Sequence, residues 1–337
     1  MRRPTLMRGA LIALALAVQA CATVPVAPEA EADRAAAGIS AERLSNHIRY
    51  LADDRLEGRY PGQVGEGLTL AYLQAQYEAM GYEPGGPDGQ WLQPVELSVM
   101  RPLKAPEIAW RGSDGAEHAL DPVTQITLRP PAERPTVQIA AAPVVFAGFG
   151  IVAPQKGWND YGDADVRGAI VVVLEGEPAS FGVEPDFYGS DRHKFQEAAR
   201  RGAVGLLTLA RSDWRLRYAL REGATERTTV VGEEEGLLTG WVGKATLDAW
   251  FAGTGHTFAD LERRAMEGGF TATAAGASLR LDLAEQATAI VSHNLLARLP
   301  GTTRPSETVI YSAHWDHEGA RSAPDARGDR IYNGAWD

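Results

Sequence analysis

The sequence predicts an α/β protein, and three observations carry that expectation. Apolar residues recur at helical spacing across residues 40–81, three short and strongly apolar segments between residues 142 and 210 read as strands around a helical stretch, and strand-like segments return after residue 288. With 337 residues, 45% of them hydrophobic, the chain can bury a sizeable core and is expected to hold more than one domain. Its formal charge of −11 excludes a nucleic-acid partner, because a polyanion is held by clustered Lys and Arg and no basic stripe occurs after residue 8.

The first twenty residues are a separate object. Arg2, Arg3 and Arg8 precede the apolar run "ALIALALAV", which has the length of a signal-peptide core and is too short to span a bilayer. The run ends in "VQAC", where small residues lead to Cys21; a single cysteine cannot close a disulfide within the chain. "VQAC" resembles a bacterial lipoprotein signal, which implies that Cys21 is lipidated and that residues 1–21 are the signal peptide. Lipid chains would tether the protein to a membrane surface, giving an exported, envelope-facing location. Residues 22–38 are rich in Ala, Pro and Glu and poor in large apolar groups, as a linker is.

Ser40 is placed to cap a helix in which Leu44, Ile48 and Leu51 share a face. In a second helix Leu70, Leu73, Tyr77 and Met80 recur at three and four, and Gly81 supplies the stop. The glycines and proline of "LEGRYPGQVGEG" predict a loop between them, so the pair is expected to form a hairpin-like unit. Residues 91–140 alternate apolar and polar and predict short strands with connections.

"APVVFAGFGI", "GAIVVVLEG" and "GAVGLLTLA" then read as strands, with "DRHKFQEAARR" as a helix before the last. "GFGIVAPQKG" is a poor nucleotide loop, since a phosphate loop needs a Lys-Ser/Thr ending or a helix opening on its glycines, whereas this stretch continues as extended chain into a proline. "GWNDYG" reads as an ordered loop with exposed aromatic side chains. Residues 245–268 predict two helices, and "NLLARLP", "GTTRPS" and "ETVIYSA" predict a strand, a turn and a strand forming a hairpin at a sheet edge.

The last of these strands would deliver His314 and Asp316 at its C-terminal end, on one face because residues i and i+2 of a strand point the same way. Beyond the carboxyl ends of strands is where open α/β sheets bind ligands. A metal-bound imidazole has its second ring nitrogen held by an acceptor, and an H-x-D pair provides both parts. By itself the motif is weak.

Four separated stretches, in order, strengthen it: "YLADDRLEGRYPGQVGEGLTLAYLQAQYEAMGYEPGG", "NLLARLPG", "YSAHWDHEG" and "DRIYNGAWD". Together they resemble the co-catalytic di-zinc aminopeptidases, the bacterial leucyl-aminopeptidase-like exopeptidases related to transferrin receptor and glutamate carboxypeptidase. The block from "APVVFAGFGIVAPQKGWNDYGDADVRGAIVVVLEG" onward resembles the protease-associated domain inserted in many of them.

This resemblance implies an incomplete zinc-exopeptidase sheet-and-helix domain with a protease-associated insert. Its parts would be residues 39–130 as the N-terminal part of the peptidase domain, 131–285 as the insert and connecting helices, and 286–337 as the start of the zinc core. It implies that His314 binds one zinc, that Asp316 orients it as part of the catalytic apparatus, and that Asp337 bridges two Zn²⁺ ions. Two such ions stand roughly 3.5–4 Å apart, and a shared carboxylate offsets their repulsion. His317 is expected to serve as a pocket-wall or hydrogen-bonding residue.

In the family the general-base Glu and the remaining ligands follow the bridging aspartate, so the chain is expected to be an inactive N-terminal fragment that exposes apolar surface. The expected partner is a peptide or protein substrate. The readings left open are a non-catalytic lipoprotein with a peptide-binding module, and a carboxypeptidase or cyclase of the same fold.

Overall fold

The computed structural model describes residues 29–112, 114–182, 187–211, 226–233, 235–321 and 323–336. They fall into two units: residues up to Gly58 together with those from His317 onward, and residues Arg59–Asp316.

In the first unit, helix α1 spans Glu29–Ala37 within the stretch of linker composition, where alanines and glutamates favour a helix. Helix α2 spans Ala41–Leu51, and the Ser40 side chain accepts the Arg43 backbone N–H as its N-cap. The helix buries none of its residues; Leu44 and Ile48 remain exposed on its apolar stripe. Residues 319–332 fold back on themselves, with Tyr332 N donating to Gly319 O at 2.8 Å, Arg321 N to Arg330 O at 2.7 Å and Asp325 N to Asp329 O at 2.8 Å. The Asp325 carboxylate accepts the N–H groups of Arg327 and Asp329 at the bend, and those bonds hold it below the usual carboxylate range.

The second unit opens with helix α3, Val64–Ala79. Its stop is the one the sequence announces: Gly81 takes a φ of 82°, its N–H donates to Glu78 O, and Tyr82 N–H reaches back to Tyr77 O. The Tyr77 and Tyr82 rings close the motif edge to face at 5.2 Å.

The strands follow as β1 (Glu83–Pro84), β2 (Leu92–Pro102), β3 (Glu107–Arg111), β4 (Glu117–Ala119), β5 (Ile126–Arg129), β6 (Thr136–Phe146), β7 (Val152–Ala153), β8 (Trp158–Asn159) and β9 (Ile170–Val173). After helix α4 (Asp191–Arg200) come β10 (Gly205–Ala210), β11 (Arg227–Val230) and β12 (Leu238–Gly243). Helices α5 (Lys244–Phe251) and α6 (Phe258–Glu267) lead to β13 (Thr273–Leu295) and β14 (Ala297–Arg298).

One mixed sheet runs β11-β2-β13-β6-β9-β10-β12-β5, with β3 paired to β13 and β4. Its centre, β6-β9-β10-β12, is parallel, and the flanking pairs are antiparallel. Parallel strands covered on both faces read as unbroken apolar runs, which is why "IVVVL" does not alternate. Ile170, Val172 and Leu174 face a core with Phe146, Trp250, Phe258 and Leu261, while Val171 and Val173 face a second core with Ala198 of α4 and Tyr161.

Strand β13 is the backbone of the unit. Its first half pairs with β6 and β3, and its second half, from Glu285 to Leu295, pairs with β2 in unbroken register from Pro102 to Leu92. It therefore crosses residues 285 and 286 without interruption.

Two expectations are corrected here. The hairpin of "NLLARLP" with "ETVIYSA" does not form: Asn294 and Leu295 end β13, Ala297–Arg298 pairs with Glu83–Pro84, and residues 307–313 pair with no described strand. A strand needs a neighbour to take its backbone groups; residues 285–295 are laddered on one edge only, by β2, and among the described residues no ladder joins their other edge to 307–313. "GWNDYG" is an ordered loop, but Tyr161 is fully buried in it. The Asp160 carboxylate accepts the N–H groups of Phe149 and Ile151, both at 3.0 Å, so the amides of the "GFGI" turn are taken by an internal acid and not offered to a phosphate.

Candidate functional site

The H-x-D motif lies at the end of the second unit. The Trp315 indole donates from Nε1 to His293 O of β13 at 3.0 Å, while the His314 and Asp316 side chains on either side of it are 61% and 44% exposed.

The His314 ring is held by Asp316, chiefly through the main chain. Nδ1 lies 2.9 Å from the Asp316 carbonyl oxygen, and the Asp316 carboxylate oxygen Oδ1 stands at 3.6 Å. A carbonyl oxygen can only accept, so Nδ1 carries the proton, and in the neutral ring the lone pair resides on Nε2. That is the tautomer a ligand to a metal through Nε2 requires.

Behind the motif is a set of buried polar contacts that the sequence reading did not single out. Arg59, only 3% exposed, donates from Nε to the Trp315 carbonyl oxygen at 3.0 Å. Glu66, in the first turn of α3, accepts Gly62 N–H at 2.6 Å on one oxygen, and its other oxygen lies 2.9 Å from Nδ1 of His293. No sequence motif marks these residues; Arg59 and Glu66 stand in a stretch whose glycines predict a loop, and their partners are more than two hundred residues away.

The other sequence-predicted residues fall elsewhere. His317 belongs to the first unit, where its ring meets Tyr332 edge to face at 6.4 Å and the Arg321 guanidinium lies over Tyr332 at 4.0 Å. In "NGAWD", Asn333 Nδ2 donates to Ala52 O and to the Asp54 carboxylate, both at 2.8 Å. Asp337 and Cys21 lie outside the described residues. Among the described residues no group of three or more His, Cys, Asp or Glu side chains is gathered as a metal cage, and no helix is long and apolar enough to cross a membrane. The His314 imidazole, with Nδ1 facing a carbonyl acceptor, is a donor of the kind zinc takes, and among the described residues it falls short in number.

No family model matches the chain, and no curated protein does. Among solved structures, the chain is similar to a Peptidase M28 precursor from Shewanella amazonensis, at 15% identity and a TM-score of 0.34, over 82% of this chain and 56% of that one. It is also similar to BSAP, a zinc aminopeptidase from Bacillus subtilis, at 15% identity and a TM-score of 0.31, over 78% of this chain and 48% of that one. A second structure of BSAP gives 14% identity and a TM-score of 0.28, over 75% and 46% of the two chains. The chain thus spans about half the length of the solved structures it matches.

Proposed function

We propose that this chain carries part of a zinc-dependent exopeptidase, an aminopeptidase in its complete form, with His314 as a metal ligand, Asp316 as its orienting residue and Asp337 as a bridging ligand. The observation that supports it is the His314 tautomer: Nδ1 is committed to Asp316 at 2.9 Å, which places the metal-binding lone pair on Nε2. The ordered motif stretches of the sequence, from "LEGRYPG" to "NGAWD", point to the same chemistry.

The further donors a zinc ion needs, and the general base, come from outside the described residues in this reading. When bound, a pair of zinc ions would lower the pKa of a shared water and polarise the scissile carbonyl. The chain's own contribution is positional: the Asp316 carbonyl fixes the ring, and the carboxylate beside it favours a cationic partner. Residues 131–285 would act as a protease-associated insert that controls substrate access or contacts a protein. Cys21, lipidated, would hold the protein at an envelope membrane, and labelled fatty acid incorporated by cells expressing this chain should be lost in Cys21→Ala.

The central test is a zinc titration of the 337-residue chain followed through its histidine ring resonances, together with aminoacyl-anilide hydrolysis by a protein that contains this chain and supplies those further donors. Zinc should perturb the His314 ring first, and His314→Ala should abolish both that binding and chelator-sensitive hydrolysis. Hydrolysis that survives both chelation and His314→Ala would overturn the reading.

A further inference from the structure

The contacts behind the H-x-D motif converge on one residue. Trp315 is fastened at two points: its indole N–H donates to His293 O at 3.0 Å, and its carbonyl oxygen accepts from Arg59 Nε at 3.0 Å. Both anchors are themselves fixed. His293 sits in β13, where it is paired with Pro94 of β2, and its ring is bound to the buried Glu66. Arg59 is buried, and its backbone holds a φ of 55°, a left-handed conformation that a non-glycine residue keeps only when its surroundings enforce it.

The following loop is clasped to the same strand. Gly62 lies against the Ile290 side chain, and Gly62 N–H is bound to the Glu66 carboxylate whose other oxygen meets His293. These contacts fix the backbone between the two residues of the motif. His314 and Asp316 flank Trp315, and the His314 ring is aimed by a hydrogen bond to the carbonyl oxygen of Asp316, one peptide beyond the one Arg59 grips. If Trp315 turned, that carbonyl would turn with it.

We propose that Arg59 and Trp315 are positioning residues for the metal site: the guanidinium and the indole lock the 315 backbone so that the His314 ring holds its Nδ1–H tautomer and presents Nε2 to the metal. This deepens the zinc reading and rests on it. The arrangement gives a structural purpose to the Arg59 Nε donor and to the Trp315 indole N–H, each of which takes a backbone carbonyl as its acceptor.

The test uses the full 337-residue chain with ¹⁵N-labelled histidine, comparing wild type with Trp315→Phe, Arg59→Lys and Arg59→Ala above the ordinary imidazole titration range. Trp315→Phe keeps the aromatic bulk and loses the N–H; Arg59→Lys keeps the charge and loses the fixed direction of Nε. In the wild type, long-range ¹H–¹⁵N correlations should show His314 in the Nδ1–H form. In the variants that ring should revert to a mixture of tautomers while His118, His193 and His256, which stand apart from this cluster, keep their signals, a change that loss of overall stability would not produce. Zinc affinity at His314 should fall about tenfold or more, the range expected when a group orienting a metal ligand is lost.

Variants that fold and retain the wild-type His314 tautomer and zinc affinity would overturn the positioning role while leaving the zinc reading intact. A wild-type His314 ring that zinc does not perturb would instead remove the zinc reading. In that case a tautomer shift in the variants would still establish that Arg59 and Trp315 orient the ring.

Discussion

The buried acid of the "GWNDYG" loop illustrates how a single residue couples local structure to pH. Both N–H donors to Asp160 reach the same carboxylate oxygen, Oδ2, and burial pushes its pKa up to about 6 despite those bonds and the positive charge of Lys194. Because the folded pKa lies above the unfolded one, the folded chain keeps this proton between about pH 4 and pH 6 while the unfolded chain loses it. Stability should therefore decline as pH rises through that window. Asp160→Asn preserves one oxygen for both N–H groups and removes the ionisation. Its melting temperature should match wild type near pH 4 and exceed it at pH 7, by an amount equivalent to about 3 kcal/mol. Lys194 is the counterpart: its ammonium donates to Leu174 O at 2.5 Å and Gly176 O at 2.7 Å, and burial lowers its pKa to about 8. Lys194→Met should destabilise the chain by about 2 kcal/mol in chemical denaturation, since it leaves two carbonyls unmet.

Among the elements, two glycines separate conformational need from steric need. Gly81 ends α3 with a left-handed φ and open space around it, so Gly81→Ala should cost only about 1 kcal/mol, all of it backbone strain. Gly240 sits in β12 opposite β5, where an added Cβ would stand 2.0 Å from the Thr127 carbonyl oxygen. Alanine there must push two paired strands apart, and a loss of more than about 2 kcal/mol is expected, readable as a drop in denaturation midpoint. The helix stop was legible because Tyr77, Gly81 and Tyr82 are neighbours in sequence. The strand clash was not, because residues 127 and 240 meet only through the sheet.

For the whole molecule, the notable surface is residues 309–311. Val309, Ile310 and Tyr311 are 77%, 83% and 94% exposed, as Trp336 is at 93% in the other unit. Side chains this exposed contribute little to folding, so a Val309→Thr, Ile310→Thr, Tyr311→Ser variant should melt within about 0.5 kcal/mol of wild type. It should also bind an apolar-sensing dye less and aggregate more slowly. Unchanged dye binding would show that the exposed strand-like stretch is not the sticky surface of this chain.

The sequence by itself determined the elements whose cause is local. Ser40 caps α2, Gly81 stops α3, and the unbroken run at residues 170–174 makes a strand covered on both faces. It also predicted a strand at 307–313 from its apolar composition, which is the kind of inference that fails when no neighbour takes up the backbone. Tertiary structure alone decided the rest. It made β13 the spine of the sheet, closed the "GFGI" amides with Asp160, and brought Arg59 and Glu66 behind a motif more than two hundred residues further along. Capping, stopping and alternation act within a few residues and leave their pattern in the sequence, whereas ladder partners and buried hydrogen bonds join distant residues that only folding brings within 3 Å.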